Sequence, residues 1–77
     1  MVELPLVQLS YRKTAVIKRL EGGREFQRKV SDLGIRIGKQ VEIVSCQPFR
    51  GPLVIKIDSM RIALGRGMAS KIIVEVK

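Results

Sequence analysis

The sequence predicts a mainly β domain: a small barrel of about five strands with one early α-helix and a short helical turn before the last strand. Short runs rich in Val and Ile, separated by turns at close spacing, are typical of small closed or partly closed barrels. One stretch near the N-terminus instead shows a helical period. The segment "GRGMAS" leaves room for only about one helical turn before the final apolar run. Closure would also remove sheet edges that promote aggregation.

Alternating and β-branched residues define the predicted strands. The first apolar segment, "VELPLVQL", contains Pro5, which lacks an amide donor, so we expect an edge strand or an extended docking arm. Thr14–Glu21 is predicted as the next strand because β-branched residues dominate its middle. After a turn at Gly38–Lys39, one face of the following strand is predicted to carry Val41, Ile43 and Ser45. The last three predicted strands, the first two joined by a tight turn at Ser59–Met60, are Leu53–Asp58, Arg61–Gly65 and Lys71–Val76.

The stretch "REFQRKVSDLG" is predicted as a helix of about three turns. Phe26, Val30 and Leu33 lie at i, i+4 and i+7, which places them on one face, while charged residues cover the other. Gly34 follows the last apolar position, where helices commonly end in a left-handed residue, and Ile35 is placed for the accompanying apolar contact. We expect this apolar stripe to belong to the core, with no ligand role.

The length and composition predict one domain without covalent cross-links. The 77 residues suffice for a single domain, predicted over residues 1–77, and contain no repeat, low-complexity segment or linker. Cys46 is the only cysteine and there is no His, which excludes an intrachain disulfide and a zinc site built from Cys and His. A lone thiol fits a reducing compartment. Stability is therefore expected from a well-patterned core, with self-association into a homo-oligomer left open.

The sequence predicts neither secretion nor a membrane span. Glu3 and Pro5 interrupt any apolar run at the start of the chain, and no apolar stretch approaches the roughly 20 residues that a span needs. We therefore expect a soluble, cytoplasmic protein.

The charge balance is strongly basic. Fifteen Lys and Arg face seven Asp and Glu, a formal net charge of +8, which favours nucleic acid, acidic protein surfaces or anionic lipid as partners. The charges are scattered, with the densest spots at Tyr11–Lys13, Lys18–Arg19 and Arg28–Lys29, and a solvated surface accounts for such scatter. Nucleic acid is not expected as the partner, because the aromatics that would stack on bases are only Tyr11, Phe26 and Phe49.

Catalysis and tight metal binding lack the necessary residues. Without His there is no ordinary general base near neutral pH, and the carboxylates form no obvious pair. Cys46 lies in an apolar strand without a His to activate it, so we expect an unreactive thiol. No dense ligand cluster is visible, so any transition metal would be held weakly. We predict no enzyme activity, no cofactor, and no catalytic or metal-ligating residues.

Two glycines flank Arg66 in the stretch "LGRGMASKI" without forming a phosphate-binding loop. The spacing G-x-x-x-x-G-K-[ST] is absent, and so are the third glycine and the long helix of a dinucleotide fingerprint. We expect a tight connection with Gly65 or Gly67, or both, at positive φ. Barrels of the SH3 type place such a turn before their final strand, which makes an SH3-like barrel the predicted architecture.

Three pieces together resemble the FeoA family. They are "SDLGIRIGKQVEIV", "QPFRGPLVIKID" and "RIALGRGMASKIIVEV", and the resemblance extends over nearly the whole chain, from Pro5 through "EGG" onwards. The sequence departs from many members at Ile37, where they carry Pro, and at Gly65, Gly67 and Met68. Near the start, "SYRKTA" replaces a more glycine-rich stretch.

The resemblance implies an SH3-like barrel and an accessory role in ferrous iron uptake. That role consists of docking on the cytosolic, GTP-binding part of the FeoB membrane transporter and regulating or supporting Fe(II) transport, which would hold the protein near a membrane. The family is also similar to the C-terminal domain of iron-dependent repressors. The alternative function is therefore an SH3-like metal-sensing or nucleic-acid-associated regulatory domain. An association with transition metals is implied as well, although this sequence supplies no clear ligand set.

The candidate partner-binding residues lie on predicted loops, which carry function more often than the scaffold does. They are Arg36, Phe49, Arg50 and Arg66. Phe49 has the alternative role of plugging one end of the barrel, and each arginine that of solvated surface.

Overall fold

The computed structural model describes residues 2–46 and 51–76, and of Cys46 the backbone alone. Six strands form one sheet, with two helices and a 3₁₀ turn at Leu6–Gln8. The strands are β1 (Val2–Pro5), β2 (Thr14–Leu20), β3 (Gln40–Cys46), β4 (Leu53–Ile57), β5 (Met60–Leu64) and β6 (Ile72–Val76); the helices are α1 (Arg24–Asp32) and α2 (Arg66–Ala69). The mainly β fold, the early helix and the helical turn before the last strand are confirmed.

The sheet runs in the order β1-β6-β2-β3-β4-β5, and every neighbouring pair is antiparallel. β1 and β5 are therefore the edge strands of the described sheet. Pro5 lies in β1, paired with Ile73 of β6, which confirms the prediction of an edge. An edge strand tolerates proline because its outer side needs no amide donor.

The end of α1 forms as predicted. Gly34 has φ +85, the left-handed region that glycine enters without a steric penalty. The amide of Ile35 donates to the carbonyl of Val30 at 2.8 Å, and the amide of Gly34 donates to the carbonyl of Ser31 at 3.0 Å. These two bonds are the Schellman pattern of a helix C-terminus. The chain therefore reverses abruptly after Leu33 and delivers Ile35 into the core, where it is buried.

Two β-bulges shift the alternation of inward and outward side chains from the one predicted for β2 and β3. In β3 the register with β4 shifts after Ile43, so Ser45 pairs with Val54 while Ile43 pairs with the fully buried Ile55. Neighbouring residues of β4 face opposite sides of the sheet, so the prediction that Ser45 shares a face with Ile43 was wrong. The extra residue of the bulge, Val44, shifts the alternation by one. A second bulge lies in β2, where the register with β6 shifts between Ile17 and Arg19.

The β4–β5 turn lies one residue earlier than predicted. Ile57 pairs with Met60, so Asp58 and Ser59 form a two-residue loop and Met60 begins β5. Asp58 has φ +57, a conformation that Asp tolerates better than most side chains. From the sequence, Asp58 is predicted at the end of the strand, but its backbone tolerance suits the turn.

The core is aliphatic and draws on every strand except β1. Among the described residues no polar or charged side chain is buried. Phe26 of α1 is the one aromatic in this core cluster, with 9% of its surface exposed. The residues that are fully buried include Leu6, Ile17, Val30, Val41, Ile55, Ile57, Ile72 and Val74.

Gly22 makes room for Phe26, and we expect Gly22→Ala to destabilise the fold. A Cβ at Gly22 would lie 2.3 Å from Cδ2 and 2.6 Å from Cγ of the Phe26 ring, which cannot move away without disturbing the core. Overpacking of this kind costs about 1–3 kcal/mol of unfolding free energy. Urea denaturation monitored by circular dichroism measures it.

Gly23→Ala is the matched control for this measurement. A Cβ at Gly23 meets nothing within 4 Å, so this variant should lose less than about 1 kcal/mol, the effect of Ala at an N-cap. Equal losses in the two variants would contradict the packing argument.

Candidate partner-docking surface

Of the predicted contact residues, the structure describes Arg36 and Arg66, which lie towards opposite ends of the β4–β5 hairpin. At one end, Cys46, Leu53 and Leu64 pair in one row of the sheet. Phe49 and Arg50 belong to the connection between Cys46 and Leu53; they lie outside the described residues, and their contact roles stay predictions. Arg66 follows Leu64 by two residues.

Arg36 belongs to the opposite end of the hairpin. It lies in the connection between α1 and β3, and Lys39 of the same connection forms an ion pair with Asp58 in the β4–β5 turn, with 3.0 Å between Nζ and Oδ2. The five residues of β5 separate this end from Leu64 by about 14 Å. The structure therefore does not bring Arg36 and Arg66 into one cluster.

Arg66 is placed differently from the expectation of an exposed loop residue. It is the first residue of α2 and is half-buried. Gly65 is the N-cap of this helix, with φ −66, and the positive-φ glycines of the described chain are Gly34 and Gly38. The prediction of positive φ at Gly65 or Gly67 was therefore wrong. Both glycines occupy conformations open to other residues, because the chain turns here by starting a helix.

The α1–β3 connection carries an exposed apolar side chain next to Arg36. Ile37 is 64% exposed although Ile35, two residues earlier, is buried. The two left-handed glycines explain the contrast. Gly34 turns Ile35 inward, and Gly38, at φ +95, returns the chain to the sheet by donating its amide to the carbonyl of Ile17 at 2.8 Å. Arg36 and Ile37 remain on the outside of this short loop.

Met60 places a second apolar side chain against the same connection. It is 46% exposed, and its Cε would lie 3.0 Å from a Cβ built on Gly34. We call Arg36, Ile37 and Met60 the loop–hairpin patch. Ile37 and Met60 are two of the four large apolar side chains that the described residues expose; the other two are Val2 and Tyr11.

Backbone contacts hold the patch in place before any partner arrives. Besides the Gly38 bond, the amide of Lys39 donates to the carbonyl of Arg36 at 3.2 Å, and the amide of Ile17 donates to the carbonyl of Lys39 at 2.9 Å. The ion pair between Lys39 and Asp58 links the loop to the hairpin turn. A surface fixed in this way loses little conformational entropy on binding.

Three of the other six carboxylates, Glu3, Glu21 and Glu75, pair with cations of β2. Lys18 lies 3.4 Å from Glu75, and Arg19 donates hydrogen bonds to Glu21 and Glu3, which raise the pKa of its guanidinium. Arginine is already charged at physiological pH, so this network contributes to structure rather than to proton transfer. The described residues contain no group of three metal-ligating side chains and no helix long and apolar enough to cross a membrane.

A groove between α1 and α2 also combines apolar and charged residues. It has a volume of about 530 Å³. Lys71 lies over the ring of Phe26, with 5.6 Å between Nζ and the ring centroid. The lining residues include Arg24, Phe26, Lys29, Met68 and Lys71. Its apolar floor is mostly buried, unlike the exposed centre of the loop–hairpin patch.

Sequence reasoning selected Arg36 but missed Ile37 and Met60. Ile37 is the position where many members of the resembled family carry Pro, and an apolar residue directly before a turn glycine was the available signal. Met60 was assigned to the turn itself, so its side chain was not considered as surface. Both omissions concern apolar residues, which sequence patterns assign to the core by default.

The family model and two curated relatives agree on one family. A family model described as the FeoA domain matches residues 4–76. An Fe(2+) transport protein A of Methanocaldococcus jannaschii is 31% identical over 71 residues, which cover 92% of this chain and 84% of that protein. A fusion of Fe(2+) transport protein A with the Fe(2+) transporter FeoB from Porphyromonas gingivalis is 35% identical over 71 residues, which are 92% of this chain but 8% of the fusion.

Solved structures share the fold. An iron(II) transport protein A from Clostridium thermocellum has a TM-score of 0.90 and 37% identity, over 95% of this chain and 45% of that chain. A manganese-dependent transcriptional repressor has a TM-score of 0.89 and 21% identity, over 97% of this chain and 42% of that chain, and at this identity the likeness shows the fold alone. The SH3-like fold class predicted from the sequence is confirmed.

Alanine substitutions at two glycines should change stability in opposite directions. Gly67 lies inside α2, where a Cβ meets nothing within 4 Å, so Gly67→Ala should stabilise the protein by up to about 1 kcal/mol. Gly34→Ala should destabilise it by at least about 1 kcal/mol because φ is +85 and the new Cβ would press on Met60. Thermal unfolding measures both, at roughly 4–8 °C per kcal/mol for a domain of this size. A lower melting temperature for Gly67→Ala would show that the glycine is structurally required.

Proposed function

The chain belongs to the FeoA family, and from this we propose that it is a non-enzymatic accessory protein of ferrous iron transport. In this proposal residues 1–77 act as one domain that docks on the cytosolic GTP-binding part of a FeoB-type membrane transporter and regulates or supports iron uptake. It would act at the cytoplasmic face of the membrane. In this proposal the protein contributes a binding surface and no catalytic step; its sequence contains no His, the ordinary general base near neutral pH.

The observation that carries the proposal is the fusion in Porphyromonas gingivalis. There a segment similar to 92% of this chain belongs to the same polypeptide as a transporter named FeoB. Two domains on one chain meet at a high effective concentration, so a weak contact between them suffices. Where such a tether is absent, the contact must be made by a surface that binds on its own.

The loop–hairpin patch is the docking surface that we propose. Binding energy at interfaces concentrates on a few anchor residues surrounded by contacts of little energy. We expect Ile37, Met60 and Arg36 to supply such anchors, because both apolar side chains are exposed and Met60 lies against Gly34, in the loop that carries Arg36 and Ile37. The patch is rigid, which reduces the entropic cost of binding. Its partner would offer an apolar pocket with carboxylates beside it. The net charge of +8 would accelerate the encounter with such an acidic face.

Titration with the cytosolic domain of the transporter tests the docking. We expect binding measurable by calorimetry with the GDP-bound domain, with the domain bound to a non-hydrolysable GTP analogue, or with both. Ile37→Ala should weaken this binding by about tenfold or more, the usual effect of truncating an interface anchor. Absence of binding at high micromolar concentration in both nucleotide states would overturn the docking proposal.

Two variants locate the contact. Val2→Ala is a matched control, because Val2 is as exposed as Ile37 and lies on β1. It should leave the affinity unchanged. Arg36→Gln should slow association and reduce its dependence on salt, because it removes a charge at the rim. If Ile37→Ala and Val2→Ala bind equally well, the docking surface lies elsewhere on the domain.

The alternative of a metal-sensing or nucleic-acid-associated regulatory domain stays a prediction. It would require Fe(II) or Mn(II) binding that calorimetry detects, or binding to an oligonucleotide that falls steeply with salt. The described residues offer no group of three ligands, which favours the transport role.

A further inference from the structure

The turn at Ser10–Lys13, just before β2, is fixed to the sheet by its backbone. The amide of Lys13 donates to the carbonyl of Ser10 at 3.1 Å, which closes the turn. The amide of Arg12 donates to the carbonyl of Ile43 at 2.9 Å, and the amide of Ile43 donates to the carbonyl of Lys13 at 3.4 Å. The side chains of this turn are therefore presented on a rigid base.

Arg12 holds an unfavourable backbone conformation in this turn. Its φ is +69, and the described residues contain one other non-glycine residue at positive φ, Asp58. Asp enters this region more readily because its short polar side chain bonds locally, whereas Arg has no such advantage. Glycine would adopt the same conformation without a steric penalty. Strain of this kind points to a use for the side chain that carries it.

The side chains of the turn combine an aromatic ring with two cations. Tyr11 is 58% exposed, and the guanidinium carbon of Arg12 lies 5.6 Å from the centroid of its ring, a cation–π distance. Lys13 is exposed beside them. Arg12 and Lys13 take part in none of the ion pairs described above, which involve Lys18, Arg19 and Lys39.

A shallow concavity of about 370 Å³ adjoins the turn. Arg12 and Lys13 line it with the polar Thr14 and Gln40; its one carboxylate, Glu75, faces Lys18. Val76 lines it as well and pairs across the sheet with Val2, which is 61% exposed. Exposed apolar surface therefore lies next to the two cations.

This combination matches the interface of a membrane. Tyrosine places its ring among lipid headgroups with its hydroxyl in water, and Lys and Arg are attracted by anionic headgroups. Nucleic acid fits less well, because its single strands stack on successive aromatics and Tyr11 is the one exposed aromatic of the described residues.

We propose that the Ser10–Lys13 turn, with Val2 beside it, binds the anionic surface of a lipid bilayer. Arg12 and Lys13 contact lipid phosphates, and Tyr11 and Val2 enter the headgroup region. The presence of a bilayer within reach rests on the proposed function at a membrane transporter. The turn would then orient the domain on the membrane while the loop–hairpin patch contacts the transporter.

Co-sedimentation with lipid vesicles tests this proposal on the whole chain. We expect binding to vesicles that contain phosphatidylglycerol, a loss of this binding as salt is raised, and none to pure phosphatidylcholine. Arg12→Ala/Lys13→Ala should lower the partition coefficient about 25-fold, since each cation near the surface contributes about fivefold. Adding Tyr11→Ser to this double variant should lower the partition coefficient further. No binding to anionic vesicles at low salt would overturn the proposal.

Lys56→Ala/Arg61→Ala is the matched control for charge. It removes the same two charges from exposed positions on β4 and β5. We expect it to change the partition coefficient less than threefold. An equal loss in both double variants would attribute the binding to net charge and overturn the assignment to the turn. The assignment would also be overturned if Arg12→Ala/Lys13→Ala lost binding to an oligonucleotide but kept its binding to vesicles.

Comparing Arg12→Gly with Arg12→Ala separates binding from folding. Both variants should lose about fivefold in vesicle binding. Arg12→Gly should melt roughly 5 °C above Arg12→Ala, because only glycine relieves the left-handed strain. Wild-type vesicle binding by Arg12→Gly would overturn the proposal. These assays contain no transporter, so their failure would leave the docking titration as an independent test of the proposed function.

Discussion

The left-handed backbone at Gly34 is the constraint on which the candidate site depends. It ends α1 with two hydrogen bonds and turns Ile35 into the core. Because the chain must then return to the sheet at Gly38, Arg36 and Ile37 have no position except the outside of the loop. Met60 packs against Gly34, where any larger residue would displace it. The patch is thus a consequence of how the helix ends, and its rigidity follows from the same bonds.

A binding module needs what this structure provides: a small, stable scaffold and fixed exposed side chains. The aliphatic core and the antiparallel sheet hold both the loop–hairpin patch and the Ser10–Lys13 turn through backbone hydrogen bonds. Neither surface therefore has to become ordered when a partner binds, which preserves affinity. We propose that the loop–hairpin patch recognises the transporter and that the Ser10–Lys13 turn recognises the membrane around it. Either interaction can therefore be absent in experiment while the other is present.

Local rules predicted the elements whose causes are local. The helix stripe, the glycine that ends α1 and the edge strand at Pro5 each follow from periodicity or from one backbone property. The bulge at Val44 could not be predicted, because it depends on the register between strands. The same holds for Asp58, whose place in the turn is set by pairing across the hairpin. The exposure of Ile37 and the strain at Arg12 arise from tertiary structure, so apolarity and charge alone did not reveal them.

The proposed docking brings the loop–hairpin patch into contact with the cytosolic domain of the transporter. The most direct measurement is a ¹H–¹⁵N NMR titration of the labelled chain with that unlabelled domain. We expect the amide signals of Arg36, Ile37 and Met60 to shift or broaden first, while those around the groove between α1 and α2 change little. Changes confined to that groove, or a spectrum that stays unchanged at saturating domain, would contradict this proposal.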